Sequence, residues 1–118
     1  MIQVDEIQHV YLACGTTDMR KSIDGLAALV QMRFDMDPFT NALFVFCGRH
    51  RDRLKILRWQ RNGFWLYYRR LERGKFQWPK EPGTGTLRIG RRELNWLLDG
   101  LDIDPKKGHP EMHISIVG

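Results

Sequence analysis

Apolar positions along the chain change their period several times, and each change marks an element. His9-Val10-Tyr11-Leu12-Ala13-Cys14 is a β-branched and aromatic run that predicts a buried strand. Gly15-Thr16-Thr17-Asp18 breaks it, and Thr17 or Asp18 suits a helix N-cap. From Met19 the spacing becomes helical: Ile23, Leu26, Ala27, Val30 and Phe34 share one face, while Arg20, Lys21, Asp24 and Gln31 lie opposite. The pattern predicts a helix over Met19–Phe34, ended by the turn Asp35-Met36-Asp37-Pro38.

Three strands are predicted next. Leu43-Phe44-Val45-Phe46-Cys47 is a continuous apolar run, as in a central strand, and Gly48 to Asp52 is a charged turn. Arg53 to Gln60 and Phe64 to Arg70 are joined through Arg61-Asn62-Gly63, and Asn-Gly between apolar runs is a strong hairpin signal. In the last strand Phe64, Leu66 and Tyr68 share one face and Trp65, Tyr67 and Arg69 the other. The strand before it is ambiguous, because Leu54 and Ile56 fit one face while Leu57 and Trp59 fit the opposite one. Either both faces are covered or a bulge switches them. Residues 72–86 are rich in Gly and Pro around Phe76-Gln77-Trp78-Pro79. A short strand at Leu87-Arg88-Ile89 leads to a helix from about Arg91 to Asp99, with Leu94, Leu97 and Leu98 inward and Gly100 as its cap. The expectation is one small α+β domain over residues 1–103: an antiparallel β-sheet, a long N-terminal helix packed on one face and a short C-terminal helix. Residues 104–118 are expected to be a tail, either an edge strand or disordered.

Length and composition fit this picture. The chain has 118 residues, 42% of them hydrophobic, enough for one core. No apolar run approaches the roughly 18–20 residues of a membrane span, and the first residues lack the pattern of a signal peptide. Cys14 and Cys47 read as buried thiols of a reducing compartment. A cytoplasmic protein with no membrane partner is expected.

Charge alters the picture more. The net charge is +5, but residues 49–75 hold ten basic side chains and only two acidic ones, Asp52 and Glu72, a balance of +8. Residues 1–48 balance at −3 and residues 76–118 at zero. Positive charge concentrated in one segment is what a polyanion-binding face requires. Arg49, Arg51, Arg53, Lys55, Arg69, Arg70, Arg73 and Lys75 are the candidate phosphate contacts. Trp59, Trp65, Tyr67 and Tyr68 interleave with them. These rings either fill the core or, where exposed, stack on unpaired bases, and alternation along a strand permits both.

The remaining motifs carry less chemistry. Gly15 to Lys21 opens a helix after a strand, yet it lacks the phosphate-loop pattern, and Asp18 there favours plain capping. His109 and His113 are four apart, but Pro110 argues against the helix a zinc site would need. The carboxylates are scattered. No metal site, cofactor or catalytic residue is expected, and no small-molecule substrate.

The order of several motifs resembles one family. Gly15-Thr16-Thr17-Asp18-Met19-Arg20-Lys21-Ser22-Ile23-Asp24-Gly25-Leu26 is similar to its opening signature. Asp37-Pro38-Phe39, Leu43-Phe44-Val45-Phe46, Arg51-Asp52-Arg53-Leu54-Lys55-Ile56-Leu57, Gly63-Phe64, Tyr68-Arg69-Arg70-Leu71-Glu72-Arg73-Gly74-Lys75-Phe76 and Trp78-Pro79 follow at matching spacing. The family is that of the second open reading frame of insertion-sequence-66 elements, the accessory proteins called TnpB. Asp18, Arg20, Lys21, Asp52, Trp78 and Pro79 are the positions through which the resemblance is most specific. It implies an accessory protein for DNA transposition whose cut-and-join chemistry resides in a separate transposase. The partners expected are DNA, at transposon ends or target, with the transposase and the element's other accessory protein. Two modes remain open: non-catalytic DNA binding through the basic hairpin, or an adaptor that docks on the transposase through the same face, or through Trp78-Pro79 and the tail.

Overall fold

The computed structural model describes residues 9–79 and 85–99. The elements in chain order are β1 (His9–Ala13), α1 (Ile23–Met32), β2 (Ala42–Cys47), β3 (Arg53–Gln60), β4 (Gly63–Arg70), β5 (Thr86–Ile89) and α2 (Arg91–Leu98). The five strands form one sheet in the order β4-β3-β2-β1-β5.

This sheet is mixed, which corrects the expectation of a purely antiparallel one. β1 and β2 pair in parallel, from His9 opposite Ala42 to Leu12 opposite Val45. The helix between them is the reason. It carries the chain back along the sheet, so the next strand starts at the same end as the last. The other pairings, β1 with β5, β2 with β3 and β3 with β4, are antiparallel.

The long N-terminal helix is also absent. The first helix has ten residues, Ile23–Met32, rather than the span Met19–Phe34. At its start the Asp18 carboxylate accepts the Arg20 amide at 2.9 Å, and the Lys21 amide reaches the Asp18 carbonyl at 3.1 Å. These bonds fold residues 18–21 into a turn of their own, and Ser22 follows in extended conformation at the N-cap. At the far end the amides of Arg33 and Phe34 share the Leu29 carbonyl, and Asp35 adopts φ 53°. That left-handed residue turns the chain out of the helix, and Asp tolerates it better than most side chains. The inward face is the one the helical period predicts. Leu26 and Val30 are fully buried, with Ile23, Ala27, Leu29 and Phe34 packed around them.

The sheet is covered on both faces. Under α1 lie Ala13, Ala42, Phe44, Phe46 and Leu57, flanked by Phe64 and Leu66. On the other face α2 places Leu94, Trp96 and Leu97 against Val10, Leu12, Leu43, Val45, Leu54 and Ile56, and Phe76 and Trp78 complete that layer. Every residue of β2 is buried, as a continuous apolar run at the sheet centre requires. The ambiguity in β3 resolves without a bulge. Its register with β4 is unbroken from Arg53 opposite Arg70 to Gln60 opposite Gly63, so both faces of β3 are core. The hairpin turns on two residues, Arg61 and Asn62, with φ of 48° and 67°. Positive φ at both positions is the primed turn that matches the twist of the strands. The loop sits one residue earlier than the Asn-Gly pair implied, and Gly63 already belongs to β4. The expected tail, residues 104–118, and the Gly100 cap lie outside the described residues.

Candidate nucleic-acid interface

Strand direction decides where the charge goes. β1 and β2 both end where β3 begins and β4 finishes, since Cys47 pairs with Leu54 and Arg53 with Arg70. The loops 14–22, 48–52 and 71–76 therefore meet at one end of the sheet. The turn of the hairpin, at Arg61 and Asn62, is at the opposite end. The cationic site is accordingly the open base of the β3–β4 hairpin and the loops around it.

Backbone bonds fuse these loops into one surface. The Thr17 amide donates to the Cys47 carbonyl at 2.8 Å, which ties the first loop to the end of β2. The Gly48 amide reaches the Arg53 carbonyl and the Arg51 amide the Gly48 carbonyl, both at 3.0 Å, closing a tight β2–β3 turn. Arg51 sits in it at φ 61°. A Cβ on Gly48 would lie 2.6 Å from the Met19 side chain, so a larger residue there would push Met19 aside where the two loops meet. The Leu71 amide donates to Asp52 and the Phe76 amide to Arg51, anchoring the segment after β4 on the same turn. Beneath, Phe76 is buried and the buried Trp78 indole N–H donates to the Ala13 carbonyl at 3.1 Å.

The eight predicted phosphate contacts all gather at this end, but they are not equivalent. Arg49, Arg53, Arg73 and Lys75 are exposed and Arg51 is half-buried. Lys55 is committed elsewhere. Its ammonium donates to the carbonyls of Met19 at 2.7 Å and Lys21 at 2.8 Å, pinning the turn before α1 to the sheet. Arg69 lies on the α2 face and donates from Nε to the Leu98 carbonyl at 3.2 Å, where the helix carries partial negative charge. Arg70 is exposed and its Nε donates to Glu72 at 2.8 Å. The carboxylate raises the Arg70 pKa further above its ordinary value.

The motif residues are also placed. Asp18 and Arg20 form a two-pronged ion pair, with bonds of 2.8 to 3.2 Å. That Arg20 side-chain bond, followed by the Arg20 amide, holds the Asp18 carboxyl at about 2, below its usual 3.8. Lys21 contributes its carbonyl to Lys55, and Asp52 its carbonyl to Leu71. Trp78 is buried, with Pro79 half-buried beside it. The indole is therefore part of the core.

Between the first loop and the β2–β3 turn runs an open cleft of about 660 Å³, lined by residues 16–20 together with Gly48, Arg49, His50, Asp52 and Arg53. Its cations are Arg20, Arg49 and Arg53. The charge count of the sequence had left out His50, although the histidine stands between two of the predicted arginines. Four large apolar side chains of the described residues are well exposed: Met32, Phe39, Trp65 and Tyr68. Of these only Tyr68 stands at the charged end of the sheet, opposite Lys55 and two residues from Arg70. The periodicity had put Tyr68 on the face of Phe64 and Leu66. It could not show that α1 covers those two and stops short of the third. Burial pushes the Cys47 thiol up to about 12, so this cysteine is no nucleophile. Among the described residues no three His, Cys, Asp or Glu side chains converge as a metal site would need, and no helix is long and apolar enough to cross a membrane.

Comparison with known proteins gives the context. The chain is 40% identical over 93 residues to the uncharacterised protein y4hO of Sinorhizobium fredii, covering 79% of this chain and 80% of that one. It is 34% identical over 101 residues to the uncharacterised protein y4jC of the same organism, covering 86% of each. No solved structure matches. Residues 8–108 match the family described as IS66 Orf2 like protein, a span that takes in the whole sheet, both helices and the charged end, and the chain belongs to that family.

Proposed function

We propose that this protein serves the transposition of an insertion-sequence-66-type element by holding DNA without cutting it, through the charged end of its sheet. The family supports a transposition-associated accessory role. The observation that carries the finer reading is the register of β2, β3 and β4, which collects cations from two separate loops on one bonded surface. Arg49, Arg51, Arg53, Arg73 and Lys75 are the phosphate contacts, joined by Arg70 where a phosphate displaces Glu72. Lys55 and Arg69 shape the surface rather than touch the ligand. Such contacts fix position and carry no sequence preference.

A salt titration tests this. With about five phosphate contacts the log–log slope is near −4.5, and affinity falls by roughly two to three decades between about 50 and 200 mM salt. Replacing Arg49, Arg53 and Lys75 together by Gln weakens binding to every sequence alike and flattens the slope by up to about three units. Incubation with DNA and magnesium leaves the DNA intact. A protein with no affinity for DNA at low salt, yet retained by the transposase, would overturn this reading in favour of an adaptor. The exposed Trp65 and Phe39, which lie away from the proposed phosphate contacts, favour that second reading.

A further inference from the structure

We infer that the charged end takes an unpaired nucleotide, with its base stacked on the ring of Tyr68 and its flanking phosphates on Arg53 and Arg70. This rests on the DNA-binding reading above and names the kind of DNA. On β3 and β4 the register sets Arg53 opposite Arg70 and Lys55 opposite Tyr68. Alternation along each strand therefore puts all four side chains on the α1 face. The helix covers Phe64 and Leu66 on that face, while Tyr68, the next residue along it, is 53% exposed.

The ring is placed for stacking. Its strand is paired along its whole length with β3. The Lys55 ammonium lies over one face of the ring, 5.9 Å from its centroid, and is itself fixed by the Met19 and Lys21 carbonyls, so the base stacks on the other face. A ring so braced loses little freedom when a base lies on it. Arg53 is exposed. Arg70 is bonded to an exposed carboxylate, Glu72, which a phosphate can replace. In a duplex the base faces are covered by their neighbours, so an aromatic ring on a strand can accept a base only where the strand is unpaired. Trp65 supplies the contrast. It is 55% exposed, but on the opposite face, with its indole N–H on Gln60 and its ring stacked against Tyr67.

Fluorescence anisotropy with a labelled single strand and a duplex of equal length tests the inference. Tyr68→Ala weakens single-strand binding by roughly 5- to 100-fold and leaves the salt slope and duplex affinity unchanged. Tyr68→Phe, which keeps the ring, binds like the wild type. Tyr68→Ile, a strand-former without an aromatic face, repeats the loss and shows that it does not come from unfolding. Trp65→Ala changes nothing, and Arg53→Gln weakens both ligands and flattens the slope by about one unit. Single-strand binding by Tyr68→Ala and Tyr68→Ile at wild-type strength would overturn the inference, as would an equal loss on duplex or an equal loss in Trp65→Ala. In those cases steep, salt-sensitive binding by the wild type would still uphold the broader reading. A wild type that binds neither ligand would remove both.

Discussion

At one end of β3 and β4 the register sets Arg53 against Arg70. At the other it sets Trp59 against Phe64, and Phe39 closes over both rings at 4.9 and 5.4 Å. The aromatic end is held by its own side chains, with Trp59 and Phe64 also edge to face at 4.9 Å. The charged end cannot be held that way, since like charges opposite one another on a sheet repel. It is held from beneath and behind instead. Phe76 and Trp78 are packed under it, Lys55 is turned inward onto two carbonyls, and the backbone bonds of Arg51, Asp52 and Cys47 lock the loops. A sheet can thus keep a dense cationic surface at one end if structure below it supplies the stability that the surface lacks.

The comparison breaks most readily at Phe76. Phe76→Ala empties a fully buried site and costs about 3–5 kcal/mol, whereas Phe39→Ala, at a half-exposed ring, costs only about 1 kcal/mol. Urea unfolding of both variants measures the difference, and equal losses would mean that the two ends are held alike. Lys55→Gln is next. It strands two carbonyls that accept a charged donor and costs about 1.5–3 kcal/mol, yet the salt slope of DNA binding stays where it was. A flatter slope would return Lys55 to the phosphate contacts. At the turn, Asn62→Ala costs roughly 1 kcal/mol, because φ of 67° strains a Cβ that is not Asn or Gly. Asn62→Gly is close to neutral, and neither variant alters binding, since the turn lies at the opposite end of the sheet from the proposed phosphate contacts.

The smallest effect is the titration of Asp18. Its folded pKa, about 2, lies below the unfolded value of 3.8. A depressed carboxyl stabilises the fold above the unfolded value, and that contribution is lost as pH falls through about 2. The carboxyl resonance followed by NMR should have its midpoint near 2, and Arg20→Gln should move it up. A wild-type midpoint at 3.8 would show that the Asp18–Arg20 pair does not form in solution.

Much of this was legible in the sequence, for identifiable reasons. Leu26 and Val30 announce the inward face of α1 by spacing alone, and the all-apolar run of β2 announces a strand buried on both sides. The concentration of charge between Arg49 and Lys75 is plain to any count. The ends of α1 were not legible, because the Asp18 turn competes with the first helical turn and only geometry shows which wins. The parallel pairing of β1 and β2 was implied by the helix between them but was masked by the antiparallel hairpin signal downstream. The roles of Lys55 and Arg69 could not be read, since a cation that binds carbonyls and one that awaits a phosphate look the same in sequence. Trp78 looked like a recognition motif and is a core residue, because its partner, the Ala13 carbonyl, is 65 positions away.

The outer position of β4 has a consequence for solubility. Among the described residues it is the last strand of the sheet, eight residues long, aromatic, without proline and without a bulge. Strands of this kind invite pairing with other chains, and proteins deter it by placing charge along the edge. Here Arg69 and Arg70 at the strand's end are that deterrent. A variant that strips Arg70 to weaken polyanion binding also strips part of that guard, so its affinity must be read beside light scattering, with loss of binding and gain of association separated before either is interpreted.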